Sequence, residues 1–160
     1  MEDAVAVQRL AYGVVLALAM TTTASAQTLD KKVLSFEAAT KIAAAAEAAA
    51  RARGVGVVIA VVDDGGHLIL LHRLDDAQVA SVNVGIGKAR TAAIYRRPSR
   101  EFEEQIKAGR VAALALADST PLQGGIPIRL DGKVIGAIGV SGDTPQVDEA
   151  IAIAGASAFR

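Results

Sequence analysis

Two acidic, glycine-containing turns, each flanked by runs of β-branched residues, constrain the fold of this 160-residue chain more than any other feature. The first is DDGG at residues 63–66, between the strand-like runs VGVVIAVVD and HLILLHR. The second is Asp131-Gly132, between IPIRL and KVIGAIGVSG. Tight hairpin turns require positive φ angles, which Gly, Asn and Asp adopt most easily. The sequence therefore predicts two β-hairpins.

Helical segments precede, separate and follow these hairpins. Ser35 is a suitable N-cap for the alanine-rich segment FEAATKIAAAAEAAARAR, and residues 78–95 return to helical spacing. Ser99 is the predicted cap of a short helix, REFEEQIKAG, and Thr144 is the predicted cap of the last helix. The order α-β-β-α-α-β-β-α predicts an α+β domain in which helices cover an antiparallel sheet.

The N-terminal segment has the composition of a secretory signal peptide. Residues 10–20, LAYGVVLALAM, form an apolar run too short to span a bilayer, and Ala24-Ser25-Ala26 fits the small-residue pattern that precedes a cleavage site. We therefore predict a signal peptide at 1–26 and a single domain at 27–160. The expected location is periplasmic or secreted, with no membrane segment after cleavage.

The composition excludes several classes of function. The chain has no cysteine, which excludes disulfides, thiolate catalysis and cysteine-ligated zinc. Its 17 basic and 17 acidic residues balance, and it lacks the clustered basic residues that nucleic-acid binding requires. The apolar fraction of 52% in so small a chain favours association between copies.

A glycine pair and two cations are candidates for anion binding. Gly124-Gly125 is followed by an isoleucine and a proline, with no hairpin to explain the pair. In such a rigid turn the backbone amides are expected to be free to donate hydrogen bonds to a carboxylate or another small polar group. Lys88 and Arg90 lie in the predicted second helix, where two nearby glycines each cost about 1 kcal/mol of helix stability relative to alanine. We infer that something approaches the backbone closely there.

His67, His72 and Asp148 are the titratable candidates. Neither methionine nor cysteine follows the cleavage site. The side chains that remain as possible ligands for a haem iron or transition metal are the two histidines, Tyr95, the lysines, and hydroxyl or carboxylate oxygens. Each candidate also has a simpler interpretation. His67 can be a solvated hairpin residue, His72 a half-buried packing residue, and Asp148 the cap of its own helix. Both kinds of role remain open at this point.

Several segments resemble the GlcG/HbpS-like family. They are KARTAA (88–93), PLQGGIPIRLDGKVIGAIGVSG (121–142) and DEAIAIAGASAF (148–159), and VVDDGGHLILLHRLDDA (61–77) is similar to the family's first hairpin. The resemblance implies a profilin-like fold, haem binding with sequestration or degradation, and assembly into homo-oligomers such as tetramers or octamers. The positions that match the family signature are His67, Lys88, Thr91, Gly124, Gly125, Pro127, Gly139 and Asp148.

The leading interpretation is an exported protein that binds haem or another tetrapyrrole. Lys88 or Arg90, together with the Gly124-Gly125 amides, would bind the propionates. His72 or Thr120 would coordinate the haem iron. Aromatic residues are scarce, which argues that one chain alone does not form the whole apolar wall against which a porphyrin packs. A subunit interface could supply the rest of this wall.

Two alternative functions stay open. The first is an enzyme acting on an oxo- or hydroxy-acid, with Lys88 binding the carboxylate and Asp148, His67 or His72 as general base. A pocket too small for a porphyrin, in which Lys88 and an acid converge, would favour this alternative. The second is a non-catalytic assembly module, for which Lys88 should be exposed to solvent.

Overall fold

The structure, a computed structural model, describes residues 29–159, so the predicted signal peptide lies outside the described residues. The helices are α1 (Phe36–Arg51), α2 (Ser81–Ile94), α3 (Arg100–Lys107) and α4 (Pro145–Ala156), with a 3-10 helix at Val111–Ala115. The strands are β1 (Val58–Asp63), β2 (Leu68–Arg73), β3 (Gly125–Leu130) and β4 (Lys133–Ser141). This order confirms the predicted α-β-β-α-α-β-β-α arrangement.

The four strands form one antiparallel sheet in the order β2-β1-β4-β3. Its two outer pairs are the predicted hairpins, and the central pairing of β1 with β4 joins them, from Val58 opposite Ser141 to Asp63 opposite Gly136. At the second turn Asp131 has φ of 49° and Gly132 has φ of 76°. Both angles are positive, as the predicted type of turn requires.

The sheet carries a different core on each face. Helices α1 and α4 pack large aliphatic side chains such as Ile42 and Ile151 against Ile59 and Ile138. On the opposite face α2 packs alanines against Ala60, Val62 and Ala137. The branched side chains between α1, α4 and the sheet act as spacers, whereas the small residues beneath α2 let that helix lie close to the sheet.

The close approach of α2 depends on strand glycines. A Cβ on Gly139 would lie 2.2 Å from the carbonyl oxygen of Gly85 and 2.5 Å from the nitrogen of Ala89. A Cβ on Gly125 would lie 2.2 Å from the carbonyl oxygen of Lys88. The glycines therefore bring the helix backbone into direct contact with the sheet, as expected for glycine in a strand interior.

Two predicted helix caps are confirmed and one is wrong. Ser35 Oγ accepts a hydrogen bond from the Ala38 amide at 3.2 Å, and Thr144 accepts one from the Val147 amide at 3.4 Å. Ser99 precedes α3 but makes no side-chain cap. Its buried hydroxyl instead donates to the Leu122 carbonyl at 2.5 Å and accepts from the Gly125 amide at 2.8 Å. The serine therefore ties α3 to the start of β3.

Replacing Gly139 with alanine tests the contact between α2 and the sheet. The new Cβ meets backbone atoms that cannot move without shifting the helix, so we expect the free energy of unfolding to fall by about 1–3 kcal/mol. The matched control is Gly65→Ala, whose Cβ would first meet the exposed His67 ring at 2.9 Å, and a change within about 0.5 kcal/mol is expected there. Urea denaturation followed by circular dichroism measures both variants. Equal losses would show that Gly139 does not set this distance.

Candidate functional site

A buried ion pair between α2 and α4 forms the centre of the candidate site. Lys88 Nζ lies 2.8 Å from Asp148 Oδ2 and donates a second hydrogen bond to the Val140 carbonyl at 3.0 Å. The two charged side chains are only 5% and 3% exposed. A Cβ on Gly124 would lie 3.0 Å from Lys88 Nζ and 2.7 Å from the Val140 carbonyl oxygen. The missing side chain at Gly124 therefore makes room for the lysine.

The segment between β4 and α4 holds Asp148 in place. Its carboxylate accepts hydrogen bonds from the Asp143 amide, at 3.0 Å, and from the Gly142 amide, in addition to Lys88. Burial raises the pKa of the Asp148 carboxyl above its ordinary value, although Lys88 and both amides act to lower it. The pair is thus charge-balanced, and its carboxyl takes up a proton more readily than one in water.

A polar cavity of about 210 Å³ lies beside this ion pair. Its walls include Ser81 and Ser141, whose hydroxyl oxygens are 3.3 Å apart, together with Glu103, Gln123 and the pair itself. The cavity therefore combines hydroxyl, amide, ammonium and carboxylate groups in a space smaller than the roughly 300–1,000 Å³ of drug-sized ligand sites.

Glu103 and Gln123 are fixed by their own partners. The Gln123 amide donates to Glu103 Oε2 at 2.6 Å, and Lys107 lies 2.5 Å from Glu103 Oε1. Burial raises the pKa of Glu103, but Lys107 and the Gln123 amide more than offset it, so the pKa lies below its ordinary value. The side chain of Gln123 donates to the buried Glu149 at 2.6 Å. These contacts fix one wall of the cavity.

Both histidines lie away from this cavity. His72 is 30% exposed, and its Nδ1 lies 2.8 Å from Glu47 Oε2 on α1. His67 is 80% exposed at the first turn, with Nδ1 3.4 Å from Asp63 Oδ1. Neither is therefore in position to act as a base for a ligand bound beside Lys88.

Arg90 and Thr120 also lie apart from the ion pair. Arg90 donates through Nε to the Gly66 carbonyl at 3.2 Å, at the first hairpin. Thr120 lies against Gly87 of α2, and its amide donates to Thr91 Oγ1 at 2.7 Å. Lys88 and Arg90 are two residues apart on a helix, so their side chains point in different directions.

The two proposed iron ligands occupy opposite faces of the sheet. His72 pairs with Ile59, whose side chain belongs to the core beneath α1, whereas Thr120 contacts α2 on the other face. One chain therefore cannot present both residues to one iron, nor can it join His72 with Lys88 and the glycine pair around one haem.

The predicted anion cradle at the glycine pair is wrong for Gly125. The Gly125 amide already donates to Ser99 Oγ, and its carbonyl accepts from the Ser99 amide at 3.0 Å. The Gly124 carbonyl accepts from the Val140 amide at 3.0 Å. Because β3 begins at Gly125, these groups are used to anchor the strand rather than to meet a ligand.

Sequence reasoning missed several residues of the site, among them Ser81, Glu103, Gln123 and Ser141. It also missed the contact of His72 with Glu47. Gln123 precedes the glycine pair and Ser141 lies in the quoted GVSG segment, so proximity to these motifs was the one available signal. Nothing local marks Ser81 or Glu103. They reach the cavity because α2 packs on β4 and because hydrogen bonds of Ser99 and Glu103 tie α3 to the segment 122–125.

The described residues contain no group of three or more His, Asp or Glu side chains arranged to hold a metal ion. In the same part of the chain, no helix is both long enough and apolar enough to cross a membrane.

The three-layer fold and its polar site define a known class of protein domain. A family model described as "Haem degrading protein HbpS-like" matches residues 34–157. The chain is 43% identical to Protein GlcG of Escherichia coli K12 over 111 residues, which are 69% of this chain and 83% of GlcG. It belongs to the HbpS-like family, as the sequence resemblance predicted.

Solved structures agree with this assignment. A double-mutant form of HbpS from Streptomyces reticuli is 31% identical, with a TM-score of 0.77, and the match covers 88% of this chain and 96% of that chain. The structure of a PduOC:heme complex is 26% identical, with a TM-score of 0.74, and covers 81% of this chain and 96% of that chain. The predicted α+β, profilin-like fold with helices over an antiparallel sheet is confirmed.

Lys88→Met tests the buried ion pair. The variant leaves Asp148 buried without its cation, so we expect the free energy of unfolding at pH 7.5 to fall by about 3–5 kcal/mol. Burial raises the pKa of Asp148, so the native state binds a proton more readily than the unfolded state. The loss should therefore shrink when the pH is lowered from 7.5 to 4.5, because the native carboxyl takes up its proton at a higher pH than the unfolded one.

Urea denaturation at both pH values measures this difference. Lys107→Met is the matched control, because Lys107 is exposed, and we expect a loss below about 1 kcal/mol. A Lys88→Met/Asp148→Leu double variant should recover much of the stability lost at pH 7.5. A pH-independent loss in Lys88→Met would contradict the assignment to Asp148.

Proposed function

We propose that this protein binds haem. The proposal rests on the family to which residues 34–157 belong, which is described as haem-degrading, and on the related structure of a PduOC:heme complex. Haem binding is required for both sequestration and degradation, so it is the function to test first.

The single structural observation that carries the proposal is the contact between His72 and Glu47. An ionised carboxylate can only accept a hydrogen bond, so Nδ1 of His72 donates to Glu47 and Nε2 of a neutral ring is left to bind a metal. The Arg51 and His72 hydrogen bonds hold the pKa of Glu47 below its ordinary value, which keeps this acceptor ionised. Histidines that bind metals are commonly oriented by a carboxylate in this way, and histidine is a common haem ligand.

His72 is therefore the favoured iron ligand. The Thr120 side chain offers only a neutral hydroxyl on the opposite face. Arg51 lies 2.7 Å from the second oxygen of Glu47 and therefore replaces Lys88 and Arg90 as the candidate cation on this face of the sheet. It also lines an open depression of about 320 Å³, together with Asp75 and Asp76.

A second copy of the chain completes the haem site in this proposal. A porphyrin needs a larger apolar wall than the described depressions of about 210–320 Å³ supply. Phe102 is fully buried and stacks edge-on against Tyr95 at 5.2 Å, so neither of these two rings is a free wall. Large apolar side chains are exposed elsewhere on the surface, and association between copies would cover them: Phe36, Val79, Val111, Leu114, Leu122 and Ile153.

Hemin titration of the purified protein tests this proposal. We expect a shifted Soret band at micromolar hemin, and His72→Ala should weaken binding about tenfold or more, which corresponds to at least about 1.4 kcal/mol. Thr120→Ala is the matched control and should bind within about twofold of the unchanged protein. Absence of a Soret shift would overturn haem binding. If only Thr120→Ala loses hemin binding, the iron ligand is Thr120, on the opposite face of the sheet.

The same samples answer two related questions. Sedimentation velocity shows whether the protein that binds hemin is a homo-oligomer, as the proposed shared wall requires. Addition of ascorbate in air separates the two fates of haem, because the Soret band persists under sequestration and decays under degradation.

The two alternative functions receive unequal support from the geometry. Lys88 and Asp148 do converge in a small cavity, as the enzyme hypothesis required, but the lysine charge is already balanced by Asp148 and both histidines lie elsewhere. The burial of Lys88 also differs from the exposed lysine that a ligand-free assembly module was expected to show.

We also propose that the protein is exported to the periplasm or secreted, on the strength of the signal-like sequence at residues 1–26. Expression in a Gram-negative host should place the protein in the periplasmic fraction with Gln27 as its first residue. Ala26→Leu should block cleavage, because signal peptidase requires a small residue before the cut site. N-terminal sequencing of each fraction checks this, and an uncleaved cytoplasmic protein would contradict it.

A further inference from the structure

The cavity beside the Lys88–Asp148 pair is a second ligand site that the haem proposal leaves unused. Its volume of about 210 Å³ equals roughly seven water molecules at about 30 Å³ each, so it accommodates a guest of roughly six non-hydrogen atoms. A porphyrin is far too large for this space. The guest must therefore be a small molecule of a different class.

The charges around the cavity disfavour an anionic guest. Lys88 is paired with Asp148, and Glu103 is paired with Lys107, so within residues 29–159 no unbalanced cation lines the cavity. Asp143 adds another carboxylate at the exposed rim. A carboxylate would meet three acidic side chains and would have to compete with Asp148 for the lysine. A cationic guest would instead meet the buried ammonium of Lys88.

The uncharged groups of the walls match hydroxyl groups. Ser81 and Ser141 are 4% and 6% exposed. Ser141 Oγ donates a hydrogen bond to Ser81 Oγ at 3.3 Å, which leaves the Ser81 O–H to donate to a guest and both oxygens to accept. The ammonium of Lys88 has three N–H groups, of which Asp148 and the Val140 carbonyl use two. The third is available to an oxygen atom in the cavity. Gln78 adds an amide, which also donates and accepts.

We propose that this cavity binds a small uncharged molecule carrying two or three hydroxyl or carbonyl groups. The two serines receive adjacent oxygens of the guest, and the remaining N–H of Lys88 donates to one of them. The buried ion pair contributes as a fixed, charge-balanced dipole and not as an anion receptor. The site lies on the α2 face of the sheet, opposite His72, and it operates independently of haem.

Three probes of similar size and different charge test the proposal by NMR. Glycerol is uncharged, glycerate replaces one hydroxymethyl group by a carboxylate, and serinol replaces the central hydroxyl by an ammonium group. We expect glycerol to cause saturable shifts of the Gln123, Gly142 and Asp143 amide signals. Glycerate and serinol should bind about tenfold more weakly.

Each other outcome overturns the proposal in a specific way. Tighter binding of glycerate would show that Lys88 receives a carboxylate after all, and tighter binding of serinol would show an amine site. No shift with any probe would show that the cavity holds only water.

A matched pair of serine variants locates the guest. Ser141→Ala should weaken glycerol binding about threefold to tenfold, as expected for the loss of one hydrogen bond. Ser157→Ala alters an exposed hydroxyl directly after the end of α4 and should change nothing. Equal binding by both variants would show that glycerol binds elsewhere. His72→Ala should leave the glycerol shifts unchanged, so failure of the haem proposal and failure of this one remain distinguishable.

Discussion

The carbonyl oxygen of Gly85 lies where a side chain on Gly139 would begin, 2.2 Å from the position of the missing Cβ. This contact between the backbone of α2 and the sheet determines the placement of the remaining groups on that face. It brings the carbonyl of Lys88 against Gly125, and the lysine side chain then extends past Gly124 towards α4. With side chains at these glycines, α2 would sit further from the sheet, and Lys88 would lose both Val140 and Asp148 as partners.

Such close packing decides the chemistry of Lys88. Once α2 lies on the sheet, the ammonium is removed from water, and a buried charge is tolerated only with a partner and further hydrogen bonds. Asp148 provides the charge, and the Val140 carbonyl and the amides of residues 142 and 143 complete the hydrogen bonding. The lysine that looked like an anion receptor in the sequence is therefore part of a neutral unit, and the cavity beside it is polar without carrying a net positive charge.

Local signals in the sequence predicted the elements, but long-range pairings assembled the site. The Asp131-Gly132 turn and the cap at Ser35 depend on neighbouring residues, so turn and helix chemistry identified them. Lys88 was predicted to bind an anion, and Asp148 to act as a general base or to cap its own helix; the enzyme alternative placed Lys88 and an acid in one pocket, but no interpretation predicted that the two form an ion pair. Their pairing spans 60 residues and follows from the position of β4 between α2 and α4, which no local pattern encodes. Ser99 shows the same effect, since tertiary contacts overrode its use as a cap.

The distribution of aromatic residues limits where the proposed haem site can lie. Phe102 is fully buried, with Tyr95 at one edge and the Arg97 guanidinium 4.3 Å from its ring centre, so this ring stabilises α3 and cannot face a porphyrin. Phe36 lies exposed at the start of α1, the helix that also carries Glu47. Because His72 on the edge strand is held by that same helix, a porphyrin that reaches this histidine must lie on the outer surface. A flat ring bound there exposes its other face to water, and the burial of that face by a second copy would make haem binding and association mutually stabilising.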